Sequence, residues 1–174
     1  MERIERSHPW QVRIRVASVE DAEKIVSLIN SAFRVAEGFF VDRDRIDLKS
    51  VLTSLDKGNF MLAERDDFLM GCVYFEQRGT DPMRAYLGLL SVDPTHQRAG
   101  VGTLLMDAAE NHCRRLGCEF MDINVVNLRL ELPSFYQKRG YRITGTSSFP
   151  ADVKTKIPCH FIEMSKPLGE TAEF

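Results

Sequence analysis

The amino-acid sequence predicts one layered α/β domain, with about four helices on the two faces of a twisted, mixed sheet of about seven strands. Apolar residues recur with helical or strand periods in the order strand, two helices, three strands, helix, strand, helix, two strands. The strand–helix–strand alternation over 85–125 implies one parallel pair, and the short connections imply antiparallel pairs. A chain of 174 residues has the usual length of one domain, here 1–174, with a core expected at about 11–168 and a loose tail at 169–174.

The first half of the chain is predicted to contain four strands and two helices. Residues 11–16 alternate with the period of a strand, and Ser18 begins a capping-box-like start for a long helix. A weaker pattern over 44–55 predicts a second, shorter helix. Asp66 and Asp67 mark a hairpin turn between two strands. The strands of this half are predicted at 60–63, 69–75 and 85–92.

The second half contains the clearest helix, over 100–116, with Gly117 at the position of a helix-terminating glycine. Its expected buried face comprises Val101, Leu104, Leu105, Ala108, Ala109, His112 and Leu116. Gly140 ends a short helix predicted at 132–139. The remaining strands are predicted at 120–125, 141–146 and 160–166, with a loop over 147–158.

Charge and composition exclude several classes of protein. A net charge of -2, from 23 basic and 25 acidic side chains, is not that of a nucleic-acid-binding protein. No apolar run reaches the ~20 residues of a membrane span, and residues 1–8 are too charged for a signal peptide. We therefore expect a cytoplasmic protein. The cysteines are expected to be reduced thiols rather than metal ligands, because their spacing is not that of a zinc site; they are Cys72, Cys113, Cys118 and Cys159.

The segment from Gln97 to Gly102 joins a strand to the clearest helix through a glycine-bearing turn. The first N–H groups of a helix have no partner within it, so an anion such as a diphosphate can bind there. Gly100 and Gly102 let the backbone approach such an anion, and Arg98 can add a charged hydrogen bond. A nucleoside-triphosphate loop would need a Lys-Ser/Thr pair after the last glycine, and a dinucleotide-binding fingerprint would need a third glycine at Leu105.

Two segments together resemble the GNAT superfamily of N-acetyltransferases. The first is Val92-Asp93-Pro94 followed by Gln97-Arg98-Ala99-Gly100-Val101-Gly102, and the second is Phe135-Tyr136-Gln137-Lys138-Arg139-Gly140-Tyr141. Both stand in the order of elements of that family, over about residues 12–168. The resemblance implies a GNAT-like fold, acetyl-CoA as acyl donor and a small-molecule or peptide amine as acceptor. It implies neither a metal, nor nucleic acid, nor a membrane, and it leaves a homodimer open.

The resemblance also assigns residues to the acyl donor. Backbone groups of Leu90 and Val92 should pair with the pantetheine arm. The amides that should hold the pyrophosphate are those of Gln97, Arg98, Ala99, Gly100, Val101, Gly102 and Thr103. Asn127 matches a position where the family often contacts the cofactor, although an asparagine that caps the loop at Leu128-Arg129 is the alternative.

Tyr136 is the expected catalytic residue, as the acid that protonates the departing thiolate; the alternative is that it only packs beneath Tyr141. A backbone N–H near Val92 should polarise the thioester carbonyl. The general base is left open among Glu37, Asp122 and Glu131, each of which can equally be a solvated charge, and His96 is expected to act as a cap or surface residue. We expect the acceptor to enter between 34–40 and 147–158, where Phe33, Phe39, Phe40 and Phe149 line a cleft or belong to the core. The alternative function is a non-catalytic acyl-CoA-binding regulatory module.

Overall fold

The computed structural model describes residues 11–80, 82–97 and 99–169, and these form a seven-stranded sheet with helices on both faces. In chain order the elements are β1 (Arg13–Val16), α1 (Ala22–Glu37), α2 (Leu48–Lys57), β2 (Asn59–Arg65), β3 (Phe68–Arg78), β4 (Arg84–Val92), α3 (Val101–Arg115), β5 (Phe120–Val126), α4 (Leu132–Gln137), β6 (Arg142–Ser148) and β7 (His160–Pro167). The fold class and the order of elements predicted from the sequence are confirmed. None of the helices in the described ranges is long and apolar enough to cross a membrane.

The strands lie in the order β1-β2-β3-β4-β5-β7-β6. Every neighbouring pair is antiparallel except β4 and β5, which are parallel and joined through α3. The crossover through α3 carries the chain from the C-terminal end of β4 to the start of β5. The glycine-bearing turn connects the end of β4 to the start of α3. It therefore lies at the C-terminal end of the central parallel pair.

Two apolar clusters hold the helices to the sheet. On one face α1 and α2 pack on β2 and β3, with Ile25 and Phe60 fully buried. On the other face α3 packs through Leu105 and Met106 against strand residues such as Met121. Each such side chain contributes about 1.5–3 kcal/mol to folding by leaving water, so both layers are fixed to the sheet by burial.

The predicted face of α3 is partly wrong. Leu104 and Leu116 are 44% and 50% exposed, whereas the carboxylate of Glu110 is on the buried face. Glu110 accepts hydrogen bonds from the Tyr141 hydroxyl at 2.8 Å and from Lys166 Nζ at 2.7 Å. A charge can be buried when it is paired in this way. Because a glutamate occupies the buried face of α3, the pattern of hydrophobic residues alone predicted a partly wrong face.

The second helix begins later than predicted. Asp47 accepts a hydrogen bond from the Ser50 N–H at 2.8 Å and so caps α2 at Leu48. The preceding residues form a loop held by Asn30, whose side-chain oxygen accepts from the N–H groups of Arg45 and Ile46 at 2.9 and 3.0 Å. The sequence pattern did not predict this loop, because the residue that holds it, Asn30, lies 15 residues upstream on α1.

Candidate functional site

The parallel strands β4 and β5 separate after three residue pairs. They pair only from Arg84–Phe120 to Tyr86–Asp122, and from Leu87 onward the edge of β4 that faces β5 has no strand partner. A cleft of about 780 Å³ opens between the diverging strands. Unpaired N–H and C=O groups along such an edge are able to bind a ligand that carries amide groups, as an added strand would.

A β-bulge in β4 causes this divergence. Tyr74 faces Gly88 and Cys72 faces Ser91, so β4 has one more residue than β3 in this interval. Within the bulge, Leu89 has a φ of 53°, a left-handed conformation that costs a non-glycine residue about 1–2 kcal/mol. Bulges bend a strand and increase its twist, which here turns the end of β4 away from β5.

Beyond the bulge, the direction of the backbone groups follows from one hydrogen bond. The N–H of Asp93 donates to the carbonyl of Met70 on β3 at 2.7 Å. Successive N–H groups of a strand point to opposite edges, so the N–H of Val92 faces the cleft. The expected donor to a thioester carbonyl near Val92 would have to face the cleft in this way, and it stays a prediction.

The glycine-bearing turn forms the opposite wall of the cleft. Gly100 has a φ of 79° and immediately precedes α3, whose first N–H groups lack helical partners. A Cβ added at Gly100 would meet nothing within 4 Å, and one added at Gly102 would come no closer than 3.8 Å, to Val92 Cγ2. The space beside both glycines is open, so an anion can reach the N-terminus of α3, where the helix dipole favours negative charge.

Most residues predicted for the acyl donor line this one cleft. Its lining includes Leu90, Val92, Gln97, Gly100, Val101, Gly102, Thr103 and the predicted acid Tyr136. Ala99 lies in the same turn but does not line the cleft. Arg98 lies outside the described residues.

Asn127 directly follows β5, as expected, but it is held by the neighbouring strand. Its side-chain oxygen accepts from the His160 N–H at 2.8 Å, and its own N–H donates to the His160 carbonyl at 2.9 Å. Asn127 does not line the cleft. Its side chain extends the pairing of β5 with β7, and the cap on Leu128-Arg129 that the sequence left as the alternative does not form either.

Tyr136 lines the cleft and also packs against Tyr141, so its position fits the predicted acid, and the catalytic role itself stays a prediction. It is 8% exposed, and its ring meets that of Tyr141 edge to face at a centroid distance of 5.6 Å. Burial raises the pKa of Tyr136 to about 12, opposed by the positive charge of Arg129. The phenol therefore holds its proton at neutral pH. Its hydroxyl has no hydrogen-bond partner among the residues that the structure describes.

Of the carboxylates that the sequence left open as bases, Asp122 is remote from the chemistry. It pairs with Arg84 at 2.6 Å at the closed end of β4 and β5, outside the cleft. Glu131 does line the cleft, but it is 62% exposed and accepts from Arg129 at 2.6 Å. Although burial alone would raise the pKa of Glu131, this hydrogen bond lowers it on balance.

Glu37, at the end of α1, is the remaining carboxylate in the cleft. Its side chain is 13% exposed, and its Oε1 lies 4.0 Å from the nearest Arg129 nitrogen. Burial raises the pKa of Glu37, and the charges of Arg45 and Arg129 only partly oppose this rise. A carboxylate with a raised pKa is a better proton acceptor than an ordinary surface glutamate.

His96 lies in the turn after β4, in keeping with the cap or surface role expected for it, and the capping residue of this turn is Asp93. Its Nδ1 lies 2.9 Å from the Thr95 hydroxyl and 3.3 Å from the Asp93 carboxylate. The ring packs on Phe68 at a centroid distance of 5.1 Å. His96 thus closes the turn after β4 and does not line the cleft.

Sequence reasoning missed Tyr86 and Arg45, which also line the cleft. Burial raises the pKa of Tyr86, whose ring lies so close to Gly88 that a Cβ there would be 2.9 Å from it. Tyr86 and Gly88 are two residues apart on β4, and residues i and i+2 of a strand share a face. This spacing is a signal that could have identified Tyr86. No sequence signal marks Arg45, which lies in the loop before α2.

Aromatic side chains divide between this cleft and the core. Phe33, Phe149 and Phe161 line the cleft, whereas Phe40 is fully buried and Phe39 is 52% exposed. The two segments expected to flank the acceptor contact each other, because Val41 bridges to Thr155 and Lys156 donates to the Phe40 carbonyl at 2.8 Å. Both segments also line the cleft, through Glu37 and Phe149, so entry of an acceptor between them stays a prediction.

Comparisons with known proteins agree with this architecture. The family model described as the acetyltransferase (GNAT) family matches residues 22–141. The chain is 25% identical over 139 residues to an amino-acid acetyltransferase of Mannheimia succiniciproducens, a match that covers 80% of this chain and 29% of that protein. It is 33% identical over 63 residues to a mycothiol acetyltransferase of Propionibacterium freudenreichii subsp. shermanii, a match that covers 36% and 20%. The chain thus spans less than a third of the length of either relative.

Solved structures show the same fold. A putative acetyltransferase, yncA from Salmonella typhimurium, solved with acetyl-CoA, superposes with a TM-score of 0.72 at 20% identity over 93% of this chain and 96% of that one. The PaiA N-acetyltransferase of Thermoplasma acidophilum, in complex with coenzyme A, gives a TM-score of 0.72 at 19% identity over 90% and 99%. At these identities the likeness establishes the fold.

Proposed function

The chain belongs to the acetyltransferase (GNAT) family, and from this premise we propose that it transfers an acetyl group from acetyl-CoA to a primary amine by direct attack. One observation carries the proposal. A single cleft combines the open edge of β4, the N-terminus of α3, a protonated phenol at Tyr136 and a desolvated carboxylate at Glu37. These are the groups that an acyl transfer between a thioester and an amine requires.

The cleft suits acetyl-CoA in its shape and in its donors. The unpaired edge of β4 offers amide partners to the pantetheine arm, and the N-terminus of α3 offers N–H groups to the pyrophosphate. The open space beside Gly100 and Gly102 admits the phosphate oxygens. We assign the backbone of Leu90 and Val92 to the arm and the turn of residues 97–103 to the pyrophosphate.

In the reaction the acceptor arrives as an ammonium ion. Glu37 takes one proton from it and passes that proton to solvent, and the neutral nitrogen attacks the thioester carbon. A cleft-facing N–H at the splayed end of β4 stabilises the oxyanion that forms. As the C–S bond breaks, Tyr136 gives its proton to the sulfur, and the second nitrogen proton returns through water to the phenolate. The products are the amide, the CoA thiol and one proton.

The raised pKa of Tyr136 does not oppose this role. A free thiol has a pKa of about 8.5 in water, below the value of about 12 for Tyr136. The thiolate forms in the same desolvated cleft, however, and burial raises the pKa of a thiol as it does that of a phenol. The two groups are therefore closer in basicity at the moment of transfer than their values in water indicate.

The second candidate function is a non-catalytic module that only binds acyl-CoA. Such a module needs the groove and the turn but has no use for a proton donor and a proton acceptor at its acyl end. The presence of both Tyr136 and Glu37 in the cleft favours the enzyme. We also propose that it acts in the cytoplasm, since its three buried cysteines are free thiols, as a reducing compartment would keep them.

The test is the variant Tyr136→Phe, which removes one hydroxyl and keeps the ring against Tyr141. Its acetyl-CoA affinity should change little, whereas kcat should fall about 10²-fold or more. Tyr141→Phe is the matched control, because it removes a buried hydroxyl that points to Glu110 and not into the cleft; it should lower stability and retain kcat. Thiol release by Tyr136→Phe at the normal rate would rule out the acid, and absence of turnover with every amine in the unmodified chain would favour the module.

A further inference from the structure

The acceptor end of the cleft adjoins a second cavity. This cavity, of about 400 Å³, lies between the end of α1 and the loop that precedes α2. Phe33, Glu37 and Arg45 line both the second cavity and the main cleft. These three side chains therefore stand where the two spaces meet, and a molecule at the junction would contact all three.

Glu37 lacks a close partner at this junction. Its nearest cation, Arg129, is 4.0 Å away and is hydrogen-bonded through Nε to Glu131 at 2.6 Å. In the described part of the chain no group donates a hydrogen bond to the Glu37 carboxylate. A desolvated carboxylate without a hydrogen-bond donor is costly, so this position favours a ligand that brings its own positive charge, as an ammonium group does.

Arg45 offers the opposite charge at the same junction. Its guanidinium lies over the ring of Phe33 at 5.3 Å from the centroid, and it forms no ion pair with any described residue. The neighbouring Arg34, in contrast, is paired with Asp44 at 2.9 Å. Of the two guanidinium groups near Glu37, that of Arg45 lowers the pKa of the carboxyl more strongly. Arg45 and Glu37 line the same two cavities and form no ion pair with each other, which leaves a position for a ligand that contacts both.

We propose that Glu37 and Arg45 form a two-point site for an acceptor that carries both a primary amine and a carboxylate, that is, an amino acid. The ammonium group lies against Glu37, on the side of the thioester. The carboxylate takes the planar donors of Arg45, a geometry that guanidinium matches and ammonium does not. Phe33, Phe149 and Phe161 surround the remainder of the molecule. A simple alkylamine or a polyamine has no group for Arg45 and is disfavoured there.

This assignment rests on the proposed function, so its test compares acceptors that differ only in the carboxylate. Thiol release from acetyl-CoA is measured with the standard amino acids and with the amide of each. The best amino acid should exceed its own amide in kcat/KM by about 10- to 100-fold, the usual range for a hydrogen-bonded charge pair. Arg45→Met should remove this preference, because it should reduce turnover of the acid far more than turnover of the amide.

The matched control is Arg43→Met, which makes the same change in the same loop at a residue that lines only the second cavity; it should keep the preference. An enzyme that uses amides and acids equally well, or an Arg45→Met variant that keeps the preference, would overturn the two-point site and leave the transferase standing. If no amine at all releases thiol although acetyl-CoA binds by calorimetry, the proposed function fails and the two-point site fails with it.

Discussion

Gly102 gives the sharpest test of how the turn holds the acyl donor. It is the second residue of α3, and an added Cβ would lie 3.8 Å from Val92 Cγ2 and 3.9 Å from Leu90 Cδ2, at ordinary contact distance. Gly102→Ala therefore meets no steric barrier in the protein. Because alanine has less backbone freedom than glycine in the unfolded chain, we expect about 0.5 kcal/mol of added stability, or roughly 1–2 °C in Tm for a domain of this size.

The same Cβ points into the space assigned to the acyl donor, so binding should weaken while stability rises. Gly102→Glu adds a charge as well. A carboxylate about 5 Å from a phosphate charge costs on the order of 3 kcal/mol at an effective dielectric constant of about 20. This corresponds to a loss of affinity of about 10²-fold, before any steric effect is counted. Gly100 is the poorer probe, since at a φ of 79° any side chain adds backbone strain.

The assay is calorimetric titration with acetyl-CoA, together with thermal unfolding of each variant. Leu104→Glu is the control, because it adds the same charge to the same helix at a residue that is 44% exposed and does not line the cleft. It should bind acetyl-CoA with nearly unchanged affinity. A folded Gly102→Glu variant that binds as tightly as the unmodified protein would refute the assignment of this turn to the pyrophosphate.

Two further predictions concern pH. Glu37 must lose its proton to act, and burial raises its pKa above the usual 4.5, so kcat/KM should fall as the pH falls through that raised pKa. Glu37→Gln should lower kcat and abolish this acidic limb of the pH–rate profile. An unaltered acidic limb in the variant would exclude Glu37 as the base. Arg15 lowers the pKa of Asp21 from 3.8 to about 2, so the stability from this pair is present above pH 3.8 and lost as pH falls through 2. Asp21→Asn should therefore lower the free energy of unfolding by about 2 kcal/mol at pH 7 and by less at pH 3, as urea unfolding at both pH values would show; an equal loss at both would contradict it.

Features that depend on residues close together in the sequence were predictable from the sequence. The order of helices and strands follows from local periodicity, and the turn from Gln97 to Gly102 with its following helix is specified by residues that are adjacent in the chain. The position of Tyr136 beside Gly140 and Tyr141 is local in the same sense. The alternation of β4, however, carried no sign that its bulge at Leu89 would separate it from β5, because strand separation depends on register with two other strands.

Tertiary structure alone decided which charges belong to the site. Glu37, Asp122 and Glu131 look alike in the sequence. The fold pairs Asp122 with Arg84, leaves Glu131 largely exposed beside Arg129, and buries Glu37 without a close partner. These differences in desolvation and pairing set the protonation behaviour of each carboxyl group, and they arise from contacts between residues that are distant in the chain.

The same reason applies to residues that sequence reasoning misplaced or overlooked. The buried carboxylate of Glu110 is paired with Tyr141 and Lys166, which lie 31 and 56 residues away along the chain, and Asn127 is held by His160, 33 residues downstream. Arg45 reaches the cleft because a loop is tied to α1. The sequence by itself determined the fold class, through local periodicity, and it placed the glycine-bearing turn and the phenol, since each of these two lies in a contiguous segment. The depth of the cleft and the charges at its acceptor end depend on long-range packing, so only the folded chain defines them.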